Sequence, residues 1–190
     1  IWLAKNGGAT VGTHASIASG EVLGSIFFSG SDGSTFVNGA SIHAIADSSV
    51  GSNDMPGALI FSTTPDGDDD VDERMRITSG GKVGIGTSSP STPFEVAQSA
   101  GDENATLSCY STTDAHTATL NLRKSANATI GTAAATASGE TLGQIVAQGY
   151  DTDNDLKASS IIRFQGDAAP DGDSVPGKIL FMTSDLDDSG

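Results

Sequence analysis

The chain has 190 residues, of which 36% are apolar and 5% aromatic, with 24 glycines and a formal net charge of −15. Side chains this small leave too little apolar volume for one large core, so several thin cores, or cores shared between chains, are expected. The acidity disfavours a phosphate backbone as partner, and no apolar run approaches the length of a membrane span, which sets aside nucleic acid binding and membrane insertion.

Taken in order, the first half reads as a series of short strands. Strand-like runs fall near residues 21–29, 40–47, 57–63 and 72–78, separated by Gly and Asp clusters at regular intervals, the pattern of an antiparallel meander. Leu59 and Phe61 alternate with Ala58 and Ser62, and Met75 and Ile77 alternate with Arg74 and Arg76, each with the period of a half-buried strand. Ser79-Gly80-Gly81 is a turn signal. Val83 and Ile85 then alternate with Gly84 and Gly86, so one side of this strand is bare backbone that another body can approach closely. Pro90 and Pro93 end it, and Phe94 to Val96 begins another strand.

The second half repeats the first. Ala9-Thr10 and the Ala18-Ser19-Gly20-Glu21 run recur as Ala128-Thr129 and Ala137-Ser138-Gly139-Glu140, a shift of 119 positions. The same shift carries Ser41-Ile42 onto Ser160-Ile161, and after a one-residue insertion Pro56-Gly57 and Phe61 fall on Pro176-Gly177 and Phe181. The expected organisation is repeat A (1–78), a Gly- and Pro-containing β connector (79–117) and repeat B (118–190), which stops short of its own Glu-Arg-Met-Arg-Ile segment. With this alignment the second strand has opposite parities in the two repeats, Ile42, Ala44 and Ala46 against Ile162 and Phe164, so both of its faces are expected to be partly buried. No stretch sustains an apolar period of 3.6, and Ala133 to Ala135 reads as loop. The chain opens on Ile1 and closes soon after an apolar run, and is expected to be part of a longer protein.

Residues that could carry chemistry are few. Asp66, Asp68, Asp69, Asp70 and Asp72 could offer oxygen ligands to Ca²⁺, but such a run is also a solvated loop that discourages edge-to-edge sheet pairing. Asp151, Asp153 and Asp155 have the spacing of the start of a calcium loop, yet Leu156 stands where that loop needs Gly and Ile162 where it needs Glu, so a turn is expected. His14, His43 and His116 are far apart, and repeat B has Ala133 and Ile162 in place of the first two. Cys109 is alone, which rules out an internal disulfide, and its strand-like surroundings suggest a buried small side chain. Gly84-Ile85-Gly86 completes no phosphate-binding motif. The reading is a protein that is not an enzyme and takes no cofactor.

The segments Ser19-Gly20, Leu23-Gly24, Ile26, Phe28, Gly30, Asp32-Gly33, Asn53 to Gly57, Leu59, Phe61, Asp66-Gly67 and Glu73 to Ile77, followed by Gly81, Val83 to Thr87 and Pro90, resemble the repeats of phage tail-fibre and related appendage proteins. The resemblance covers most of repeat A, its continuation through Val96 and about half of repeat B, where Asp173-Ser174-Val175 replaces Asn-Asp-Met. It implies an all-β, elongated fibre of repeated antiparallel β domains, intertwined as a parallel homotrimer, with Leu59, Phe61, Met75, Ile77, Val83, Gly84, Ile85 and Gly86 at the assembly contacts. It also implies a shaft that positions a distal receptor-binding tip, a virion or extracellular location, and as partners the chain itself and other tail or appendage proteins. An intramolecular trimerisation chaperone often follows such repeats. The alternatives are a carbohydrate-binding adhesive module, in which loops 31–39 and 150–157 touch a host surface glycan, and a non-viral surface filament or adhesin.

Overall fold

The computed structural model describes residues 1–10, 12–99 and 104–184, and every statement below concerns these residues. It is all-β and divides into two units, Ile1–Ala105 and Thr106–Gly190.

The first unit is a six-stranded sheet in sequence order, β1 (Val22–Ser31), β2 (Phe36–Ala46), β3 (Gly57–Thr63), β4 (Asp72–Ile77), β5 (Val83–Ile85) and β6 (Phe94–Val96). Neighbours from β1 to β5 are antiparallel, as the meander pattern implies, and β5 and β6 are parallel. The sheet therefore runs through residue 78 and into the stretch read as connector. The first hairpin is closed by Asp32, whose carboxylate accepts from Ser34 N–H and Thr35 N–H, both at 2.7 Å, while Gly33 takes the positive φ that the turn needs. β2 begins at Phe36 rather than near residue 40, because Gly39 and Asn38 break the alternation at a bulge opposite Phe28 and Ser29.

The second unit is a three-stranded antiparallel sheet, β7 (Thr141–Tyr150), β8 (Leu156–Gly166) and β9 (Gly177–Thr183). It reproduces β1 to β3 in detail. The bulges of β1 at Val22/Gly24 and Phe28/Ser29 recur in β7 at Thr141/Gly143 and Ala147/Gln148. Gly20 N–H donates to Ala46 carbonyl at 2.7 Å and Gly139 N–H to Gly166 carbonyl at 2.8 Å. Asp47 N–H donates to Pro56 carbonyl, and Asp167 N–H to Pro176 carbonyl. The correspondence also reaches upstream of the strands: the ion pair Lys5–Glu21 recurs as Lys124–Glu140, and Leu3 lies against Gly24 as Leu122 lies against Gly143.

The register corrects the alignment of the second strand. Ile26 pairs with Ile42 and Phe61, while Ile145 pairs with Ile162 and Phe181. Ile42 thus corresponds to Ile162, not to Ile161, a shift of 120 positions. The extra residue lies in the hairpin loop, 32–35 in the first unit and 151–155 in the second, where Asp151 accepts from Asp153 and Asp155 N–H and Asn154 takes the positive φ. Because side chains alternate along a strand, a slip of one residue moves every one to the other face. Once the insertion is placed in the loop, the apparent conflict of parity disappears: Ile42, Ala44 and Ala46 match Ile162, Phe164 and Gly166.

Candidate assembly face

Residues paired across neighbouring strands point to the same side of a sheet. In the first unit this puts Ile26, Ile42, Phe61, Met75, Ile85 and Val96 in one continuous row across all six strands. A second row on the same face is Gly24, Ala44, Leu59, Ile77, Val83 and Phe94. Neither row contains a polar side chain. The structure therefore brings Leu59, Phe61, Met75, Ile77, Val83 and Ile85 together on one face. It adds Ile26 and Ile42, whose long strands β1 and β2 are interrupted by bulges, and Phe94 and Val96, whose strand of three residues is too short to show a period. This face is open: Ile26 is 47%, Phe94 62% and Val96 47% exposed. Near Gly24 it is covered by its own chain, through Leu3, and at the end of β2 Ala46 is fully buried. In the second unit the equivalent rows are Ile145, Ile162 and Phe181, and Gly143, Phe164 and Ile179, with Phe181 77% exposed.

The opposite face of the first unit is closed by the chain itself over its middle strands, while Phe27 of β1, opposite Ser41, is 53% exposed. Ser41, Ala58, Ile60 and Ser62 are buried there, in rows that include His43, Arg76 and Gly84. Between Phe61 and Ser62 the register skips Arg74, and this bulge turns Glu73 onto the face of Arg76. The Arg76 guanidinium donates to both Glu73 oxygens at 2.6 Å and lies 3.9 Å from Asp47. The bonds to Glu73 push Arg76 further up from its ordinary value. Asp47 Oδ2 accepts from Ser79 N–H and Oγ–H, both at 2.8 Å, and these bonds, with a smaller contribution from the Arg76 charge, hold its carboxyl below the usual aspartate range. Asp47, Glu73, Arg76 and Ser79 thus lock the end of β2 to β4 and to the turn after it. The Glu73-Arg74-Met75-Arg76 pattern could have pointed to this network only with the bulge known.

Gly84 and Gly86 require a correction. The bare backbone expected to admit another body is filled by the chain itself, by the loop between β5 and β6 at Gly84 and by Ala97, just after β6, at Gly86. A Cβ on Gly84 would lie 2.5 Å from Thr87 carbonyl oxygen and 3.4 Å from Pro90 Cδ. A Cβ on Gly86, whose φ is +71°, would lie 2.0 Å from Ala97 carbonyl oxygen. Lys82 Nζ fastens the same loop by donating to the Pro90 and Ser91 carbonyls at 3.0 and 2.9 Å. Glu95 accepts from Ser91 N–H and Oγ–H, which hold its carboxyl below the ordinary range. Both glycines therefore serve the fold of the single chain.

The acidic candidates sit in turns. Asp66 is in the loop between β3 and β4, where Asp68 accepts from Asp69 and Asp70 N–H, and Asp72, the first residue of β4, pairs with Arg74 at 3.4 Å. Asp151 and Asp155 pair with Lys157, and Asp153 lies between them in the hairpin loop. Among the described residues no group of three or more His, Cys, Asp or Glu side chains is placed to hold a metal ion. Cys109 is exposed and outside any strand, against the expectation of a buried thiol, because its segment finds no ladder to join.

No protein-family model and no curated protein sequence matches the chain. Solved structures do match its fold, among them two of one phage protein. One is the carboxy-terminal domain of the bacteriophage T5 L-shaped tail fibre, with a TM-score of 0.73 at 15% identity over 97% of this chain and 78% of that one. The other is the same domain with its intramolecular chaperone domain, with a TM-score of 0.70 at 15% identity over 97% of this chain and 57% of that one. The fold of this all-β chain is thus similar to that of a phage tail-fibre domain.

Proposed function

We propose that this chain is part of the shaft of a phage tail fibre or similar virion appendage, holding a distal receptor-binding tip at a distance for host attachment. Three parallel copies bury their apolar faces against one another, outside the cell and on the virion. The partners are further copies of the chain and neighbouring tail or appendage proteins, and the role involves neither enzymatic activity nor a cofactor.

The observation that carries this reading is exposed area. The chain presents 14289 Å² to solvent. Two compact domains of half its mass would together expose about 10,000 Å². The excess, about 4,000 Å² on that scaling, is spread over the uncovered apolar rows and the exposed, strand-free residues 104–135. All four buried apolar side chains, Ile17, Ala46, Ala58 and Ile60, lie in the first unit, so among the described residues the second has no apolar core of its own. A chain in this condition folds with copies of itself, and three-fold symmetry closes such contacts into a ring, each copy meeting the next through two different parts of its face. The trimer number follows the resemblance to tail-fibre repeats, and the similarity in fold to the T5 domain supports the same class.

The test is an engineered particle. Removing one unit with its connecting stretch, about 119 residues in the repeat spacing, shortens the fibre and leaves adsorption to a panel of hosts unchanged. Exchanging loops 31–39 and 150–157 also leaves it unchanged. Loop exchanges that redirect adsorption with the tip intact would make this segment an adhesive, glycan-binding module.

A further inference from the structure

Residues 106–111 and 117–123 are strand-like in sequence and belong to no strand. In the first run Leu107 and Cys109 alternate with Thr106, Ser108 and Tyr110. In the second, Ala118, Leu120 and Leu122 alternate with Thr117, Thr119, Asn121 and Arg123. Each run has the two-residue period of a strand that buries one side. Yet every residue from 104 to 135 is exposed, with Leu107 and Leu120 more than half open to solvent. The backbone is as bare as the side chains. Among the described residues, the one backbone–backbone bond of residues 104–124 runs from His116 N–H to Thr113 carbonyl at 3.0 Å and closes the turn between the two runs.

Leu122 fixes where the second run reaches. A Cβ on Gly143 would lie 2.8 Å from Leu122 Cβ, and Gly143 stands in the apolar row with Phe164 and Ile179. The run thus meets the face that the proposed assembly covers with another copy. Charge also favours a copy as the neighbour. The chain carries −15 and its copies repel, so contact between them needs a stretch with few charges; residues 104–122 hold one charged side chain, Asp114. Contacts around a three-fold ring are head to tail and need two unlike surfaces. The two runs are such a pair, held next to each other by the turn. A hairpin of the two inside one copy would leave both outer edges open, and a lone hairpin is marginal in water.

We infer that residues 106–111 of one copy pair as a β-strand with residues 117–123 of the next, with Leu107, Cys109, Ala118, Leu120 and Leu122 on the buried side of a sheet shared between copies. The pairing gives the bare N–H and C=O groups partners. The inference rests on the proposed association of three copies and adds a contact in which no copy has a sheet without its neighbour.

The single native cysteine supplies the probe. Residues opposite each other on paired strands have Cα atoms about 4.5–5.5 Å apart, inside the limit of about 7 Å for a disulfide. Ala118→Cys, Leu120→Cys and Leu122→Cys, made one at a time in the full chain with Cys109 retained, sample the positions on the side of Cys109. Under mild oxidation at least one should give a covalent species of three chains on a non-reducing gel, with Cys109 joined to the substituted position on peptide mapping. The parent, with Cys109 alone, should give nothing larger than two chains. In the unoxidised parent the amides of both runs should exchange at least about tenfold more slowly than in free peptides of the same sequence. A bridge that closes within single chains would overturn the pairing between copies, as would the absence of any bridge to Cys109 in variants that sediment as three chains. Unprotected amides in a parent that sediments as three chains would overturn it without any variant. Each of these results with a three-chain mass leaves the shaft reading standing, whereas a monomeric parent would sink both.

Discussion

Replacing Gly86 by alanine separates the two roles open to the glycines after β5. Gly86 has φ +71°, a conformation that costs an L-residue about 1–2 kcal/mol. Its new Cβ would also sit 2.0 Å from Ala97 carbonyl oxygen, so the parallel pairing of β5 with β6, held by the Ala97 N–H bond to Ile85 carbonyl at 2.9 Å, must shift. Forced overpacking of this kind costs about 1–3 kcal/mol, giving about 2–5 kcal/mol in all. Gly33→Ala is the matched control: its φ is +98° but nothing lies within 4 Å of the added Cβ, so only the conformational cost of about 1–2 kcal/mol applies. Urea unfolding across a hundredfold range of chain concentration reads the difference. A cost inside the chain stays constant with concentration, whereas a lost contact between copies grows on dilution. Gly86→Ala should be the worse of the two at every concentration, with faster amide exchange at Val83 to Ile85. Equal effects of the two variants, or a Gly86→Ala cost that vanishes at high concentration, would refute the intrachain assignment.

Three further outcomes follow from the same geometry. Arg76→Met leaves Glu73 and Asp47 without their cation and should lower stability by about 1.5–3 kcal/mol, read as a shift in the urea midpoint. Asp47 is held below the usual aspartate range in the folded chain, so its contribution is complete above the unfolded value of about 3.9 and is lost as pH falls through the lower folded value; melting curves from about pH 5 to pH 2 should fall less steeply in Asp47→Asn than in the parent. Thermal melting should be unchanged by a chelator, and a fall of about ten degrees would instead point to a cation held by the Asp66 to Asp72 or Asp151 to Asp155 loops, since a ligand of the folded state raises apparent stability.

The strands were legible wherever alternation ran uninterrupted, as in Leu59-Ile60-Phe61 and Met75-Arg76-Ile77, and there the side facing outward could be read as well. Legibility failed where local geometry departs from two-residue alternation. The bulge at Gly39 hides the start of β2. The bulge at Arg74 puts Glu73 and Arg76 on one face, although their spacing of three residues would place them on opposite faces of a regular strand. The single-residue insertion between Tyr150 and Leu156 is invisible at a fixed shift until the pairing of Ile145 with Ile162 is seen. The use of Gly84 and Gly86 depends on a loop that returns to them from Thr87 and Ala97, a contact that no periodicity encodes. The upstream matches of Leu3 with Leu122 and Lys5 with Lys124 were present in the sequence, and their meaning emerges only from what they touch.

The central claim is that the apolar face formed by Ile26, Ile42, Phe61, Met75, Ile85 and Val96, with its counterpart in the second unit, is covered by copies of this chain. Sedimentation equilibrium of the 190-residue chain, beside a variant carrying Phe61→Ser and Phe181→Ser, measures this most directly. The account predicts a mass of three chains for the parent, and dissociation at higher concentration in the variant. A parent that remains a folded monomer at all concentrations, with its apolar face open to solvent, would contradict it.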